Sequence, residues 1–99
     1  MVSCQDVRNC YNDLYKEYRR YIWGIREVTA LVDLELASYE TCLDVARVKD
    51  KLQVLKQLTL TTIQEDDSLK KAIDAFEDLL EEETMSYSKI YRVTEVLQV

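Results

Sequence analysis

Among these 99 residues, the groups most able to do chemistry are carboxylates and thiols. Residues 65–83 carry nine acids against Lys70 and Lys71, a local charge of −7, while the whole chain sums to −6. Glu77, Glu81 and the neighbouring acids could hold a hard cation only loosely. Helical acids without a ligand-bearing loop make a poor calcium site. The thiols are Cys4, Cys10 and Cys42, and no two form a CxxC pair. The chain has no His, which removes the commonest general base and the commonest metal ligand. Ser-His and Cys-His nucleophiles and Glu-x-x-His metal motifs are therefore excluded. Gly24 is the single Gly, so no glycine-rich loop can cradle a phosphate. No catalytic, cofactor-binding or metal residues are expected, no small-molecule substrate is evident, and the chain reads as a non-enzyme.

The cysteines are odd in number and unpatterned, which fits unpaired core hydrophobes in a reducing, intracellular and cytoplasmic setting. The opening Met-Val-Ser-Cys-Gln-Asp-Val-Arg lacks the apolar stretch of a signal peptide. No run of about 18 apolar residues is present, so no membrane span is expected.

The elements that must position these groups are helices. With no Pro and one Gly, the chain lacks the turn residues that a β-rich fold needs at each hairpin. Val7, Tyr11, Leu14, Tyr18, Tyr21, Ile25, Val28 and Val32 step by three and four, one unbroken helical stripe. Ser3 and Asp6 supply an N-cap and an acidic first turn. After Val32 the stripe meets Glu35, and Leu36, Tyr39 and Leu43 fall in another frame. Val45, Val48, Leu52 and Leu55 form a second run. Leu69, Ile73, Phe76, Leu80, Tyr87, Ile90 and Leu97 form a third, with Glu83 and Thr94 as polar interruptions. Thr62 with Glu65, or Asp67 or Ser68, would cap its start. The fold class is all-α. The expected architecture is one domain, a three-helix up-down-up bundle with helices over about 4–33, 38–60 and 67–98. Its alternative is a long helical hairpin, one helix running over 4–60, that dimerises.

In the up-down-up bundle the first and third helices run parallel, so Lys16, Arg19 and Arg20 fall near residues 79–83. Glu83 would then find a partner in Arg19, Arg20 or a Tyr hydroxyl. Trp23, the only Trp, lies on the polar face of the first helix among long cations. That composition suits a hot spot in a protein interface. Partner binding is accordingly expected at Trp23, Lys16, Arg19 and Arg20, and at Glu77, Glu81 and Glu82 on the acidic stretch. The tyrosines suit half-buried boundaries whose hydroxyls reach water or carboxylates. A base-stacking platform needs a positive field, and residues 1–27 sum only to +1, which disfavours nucleic acid.

These readings converge on a helical protein–protein interaction or assembly module: an adaptor, a chaperone or a complex subunit. It would work through a protein partner or self-association. A second reading is an acidic inhibitor or regulator that occupies a basic surface of a nucleic-acid-binding protein. A third, a structural subunit of a virion or secretion apparatus, differs in forming large homo-oligomers.

Overall fold

Ser3 opens the first helix with a reciprocal cap. Its hydroxyl accepts from the Asp6 backbone N–H at 3.1 Å, and the Asp6 carboxylate accepts from the Ser3 N–H at 3.1 Å. The computed structural model describes the backbone of residues 3–21 and 23–98, with side chains as far as Glu82. Five helices follow one another: α1 (Cys4–Tyr18), α2 (Ile25–Glu40), α3 (Val45–Leu58), α4 (Leu60–Glu65) and α5 (Asp67–Gln98). No strand occurs among the described residues. The chain is an all-α assembly of packed helices.

The long helix expected over 4–33 is interrupted. The chain leaves α1 after Tyr18 and re-enters a helix at Ile25. Trp23 explains the break. Its indole N–H donates to the Tyr18 carbonyl at 2.6 Å, satisfying one of the acceptors a helix end leaves open. Its ring stacks on Tyr18 at 4.3 Å and meets Tyr21 edge-on at 5.4 Å. Gly24, expected inside a helix, instead stands in extended backbone as the N-cap of α2. Nor does the chain turn within 33–40. Helix α2 runs through that stretch, the turn falls at 41–44, and Asp44 caps α3 by accepting from the Arg47 N–H at 3.2 Å. A helix over 4–60 does not form.

The segment expected as one helix over 38–60 is also divided. At Thr59 the chain bends between α3 and α4, and the buried Thr59 hydroxyl donates to the Leu55 carbonyl at 2.9 Å. Asp66, rather than Asp67 or Ser68, then accepts from the Leu69 N–H at 3.0 Å and starts α5.

Neighbouring long helices run antiparallel. Tyr11 of α1 meets Glu35 of α2, and Asn12 meets Tyr39. Ile25 at the start of α2 lies beside Val54 and Leu58 at the end of α3. Lys49 of α3 pairs with Glu81 of α5, and Lys56 with Glu77. Four alternating helices set α1 and α5 in opposite directions, so the parallel arrangement expected for the first and last helices is not formed.

The core joins Val7, Leu14 and Tyr18 to Leu34, to Val48, Leu52 and Leu55, and to Leu69, Ile73, Phe76 and Leu80, all fully buried. Each such side chain contributes about 1.5–3 kcal/mol relative to exposure. A disulfide joins Cys4, at the start of α1, to Cys42 in the turn after α2, with Cα atoms 5.2 Å apart. The expectation of three unpaired cysteines is thereby corrected: two helix ends far apart in sequence meet, which spacing along the chain does not reveal. Cys10 is the free thiol, and burial, then Asp13 and Asp6, push its pKa up.

Candidate functional site

The residues expected to bind a partner do not form one constellation. Trp23 is half-buried and spent on its own chain, stacked on Tyr18 and bonded to its carbonyl. Its expected place on a polar helix face fails because that stretch is not helical. Lys16 and Arg19 are exposed, and Arg20, in the turn after α1, pairs with Glu17 of α1 at 2.8 Å. These cations sit at the α1 end that α5 approaches with its N-terminus, away from residues 77–82. Glu83, with the pairing expected for it, lies outside the described side chains.

Two of the three acids are engaged. Lys56 approaches Glu77 at 2.6 Å, and Lys49 pairs with Glu81. The bond to Glu77 raises the Lys56 pKa against the opposing pull of desolvation. Glu82 is exposed. Sequence reasoning missed Lys49 and Lys56 as partners because it left Glu77 and Glu81 for an outside partner. Among the described residues, no three His, Cys, Asp or Glu side chains converge as metal ligands. Likewise, no described helix is long and apolar enough to cross a membrane.

The α1–α2 boundary is built from tyrosines. The Tyr11 hydroxyl donates to Glu35 at 3.3 Å, and the Tyr39 hydroxyl donates to Asn12 at 2.8 Å. Arg8 donates to the Tyr39 carbonyl at 3.2 Å and lays its guanidinium 5.4 Å from the Tyr39 ring centre. Burial first, then the nearby Glu35 charge, drives the Tyr11 pKa far above its ordinary value. These contacts fix how α2 is rotated about its own axis.

That rotation produces the surface of greatest interest. The α2 side chains facing the core are Ala30, Leu34, Ala37 and Ser38, three of them small. Ile25, Val28, Val32 and Leu36 face away, Tyr39 stands at the edge of this row with one side against α1, and exposed Leu43 follows in the turn after α2. At 3.6 residues per turn the two rows lie about 175° apart. Ile25 is 83% exposed, Leu43 79%, and the four between them 40–48%. Together they leave on the order of 600 Å² of apolar surface open, the upper end of what a monomer normally shows. At its Ile25 end the row borders a shallow groove of about 300 Å³, which Arg26, Thr29 and Asp33 share with the half-open Val54 and Leu58.

The sequence did contain this row. Its first three members fall in the long stripe that begins at Val7, and Leu36, Tyr39 and Leu43 in a separate frame. On α2, Ile25, Val28, Val32, Leu36 and Tyr39 are one row with steps of three and four. What the arrangement can do is bury apolar area against another helix. It offers no acid–base pair, nucleophile or ligand set among the described residues. No protein-family model, curated protein or solved structure matches the chain.

Proposed function

We propose that the chain is a non-enzymatic helical interaction or assembly module whose working surface is the outer face of α2. One observation carries this reading: a contiguous row of large apolar side chains points outward from a helix whose inward face is mostly small. A patch at the upper end of the monomer range is often functional, and burial against another protein is its commonest use. The occupant is read as a protein with a complementary apolar helix, since the row is long, narrow and helical in spacing. The acidic-inhibitor reading draws less support, because Glu77 and Glu81 are already paired with Lys56 and Lys49.

A photo-crosslinking residue placed at Val32 tests this in the cells that make the protein, with Asp78, exposed on α5, as the control position. Covalent adducts from position 32 and none from position 78, whether to the same chain or another, are expected. Equal yields from both, or none from either, would remove the surface.

For location, the odd cysteine count supports a reducing intracellular compartment, and the Cys4–Cys42 bridge supports an oxidising one. Alkylating the protein before lysis decides between them. Three blocked thiols place it in the first, and Cys10 alone in the second.

A further inference from the structure

We propose that the occupant of the outer α2 face is a second copy of this chain, with the two α2 helices antiparallel about Val32. The inference rests on the reading of that face as the interaction surface and names its partner.

The row is symmetric about its own centre. With Val32 on a twofold axis, Ile25 falls opposite Tyr39 of the partner subunit, Val28 opposite the partner's Leu36, and Val32 opposite itself. Each large outward side chain on α2 then meets another large one, as an isologous interface requires, while Leu43 lies beyond the paired stretch. The steps of three and four are those of a helix–helix seam in which side chains interlock.

The area is in range. A stable interface buries about 800 Å² on each partner. The row leaves on the order of 600 Å² open, and exposed Val54, Leu58 and Thr29 adjoin it at the Ile25 end and extend it toward that size.

Charge selects the direction. Arg26, Asp33 and Glu40 repeat every seven residues along one flank of the row, and all are exposed. An antiparallel pair sets each Arg26 beside Glu40 of the partner subunit, giving two opposite-charge contacts at the rim. A parallel pair in register holds Arg26 and Glu40 at opposite ends of the seam. The same antiparallel geometry brings the two Asp33 carboxylates together near the axis. That contact is unfavourable and screened by salt, and it supplies a test.

The purified full chain, with its disulfide intact, is followed by sedimentation from micromolar to near-millimolar concentration. The expected result is a rise from the 11.7 kDa monomer to twice that mass. Val32→Glu, and independently Leu36→Gln, should weaken association at least about tenfold with helical circular dichroism unchanged. Asp33→Asn should tighten it a few-fold, most at low salt. Orientation is read in a Cys10→Ser background with a short bis-maleimide. Val28→Cys mixed with Leu36→Cys should give a covalent dimer faster than either variant alone. A constant monomer mass, or faster linkage of Val28→Cys to itself, overturns the proposal. If the monomer persists while the Val32 photo-crosslinker captures a different protein in cells, the second copy is wrong and the surface stands. If it persists and captures nothing, both are wrong.

Discussion

Helices α1 and α2 are adjacent, antiparallel and nearly equal in length, at 15 and 16 residues, yet they distribute their apolar residues in opposite ways. Helix α1 turns Val7, Tyr11, Leu14 and Tyr18 inward and leaves its other faces mainly polar. Helix α2 turns Ala30, Leu34, Ala37 and Ser38 inward and keeps its larger row outside. Burial of apolar area alone would rotate α2 by half a turn. Volume and directed contacts hold it where it is. Ala30 and Ala37 are small and buried, which lets the α2 backbone come close to its neighbours, and Leu34 between them is fully buried. The bonds from Tyr39 to Asn12 and from Tyr11 to Glu35, with the Cys4–Cys42 bridge, then lock the rotation. Periodicity therefore identifies an apolar face without saying which of two such faces turns inward.

The contrast between the helices can be broken first at their covalent link. Reducing Cys4–Cys42 releases a loop constraint across 38 residues of sequence separation and should cost about 4 kcal/mol of stability. Urea unfolding with and without a reductant reads this directly. Next in size is a pair of truncations two residues apart on α2. Leu34→Ala, on the inner face, should cost about 3 kcal/mol, as should Leu14→Ala on α1. Leu36→Ala, on the outer face, should stay within about 0.5 kcal/mol in the monomer. Equal costs at 34 and 36 would erase the distinction between the faces.

A smaller effect sharpens the α1 side. The Tyr18 hydroxyl is buried and finds no hydrogen-bond partner among the described residues, and burial, then Glu27, raises its pKa far above 10. Tyr18→Phe should therefore gain about 1 kcal/mol at neutral pH. The sign of the pH effect follows from the raised folded-state pKa. The native state holds the phenol proton more tightly than the unfolded chain, so stability is full below the ordinary pKa of 10 and falls as pH rises above it. Circular dichroism during alkaline titration should show Tyr18→Phe unfolding at higher pH than the parent.

Much of the fold is legible in residue spacing. The α1 core residues Val7, Tyr11, Leu14 and Tyr18, the α3 run Val48, Leu52 and Leu55, and the α5 run from Leu69 to Leu80 are all apolar at helical intervals and all buried. The break after Tyr18 was hidden for a physical reason. Tyr18, Tyr21, Ile25 and Val28 keep steps of three and four across it, so a wheel drawn through them stays in phase although the chain is not helical throughout. The clue was the crowding of Tyr18, Tyr21 and Trp23, since three large aromatics so close together need a folded-back chain to cover one another. The disulfide was illegible because it joins α1 to the end of α2, a contact that exists only once the chain doubles back at Gly24. The candidate surface was half legible. Its residues were visible, but their outward direction depends on the small volumes of Ala30 and Ala37, which a stripe of large residues conceals.

The most direct test of this account is urea unfolding of Val32→Glu, at a concentration where the parent sediments as a monomer. With Val32 on the outer face, a carboxylate there stays in water, and the midpoint should lie within about 0.5 kcal/mol of the parent. A loss of several kcal/mol would mean that a charge had entered the core. In that case α2 would turn its larger face inward, and the surface proposed for a partner would not exist.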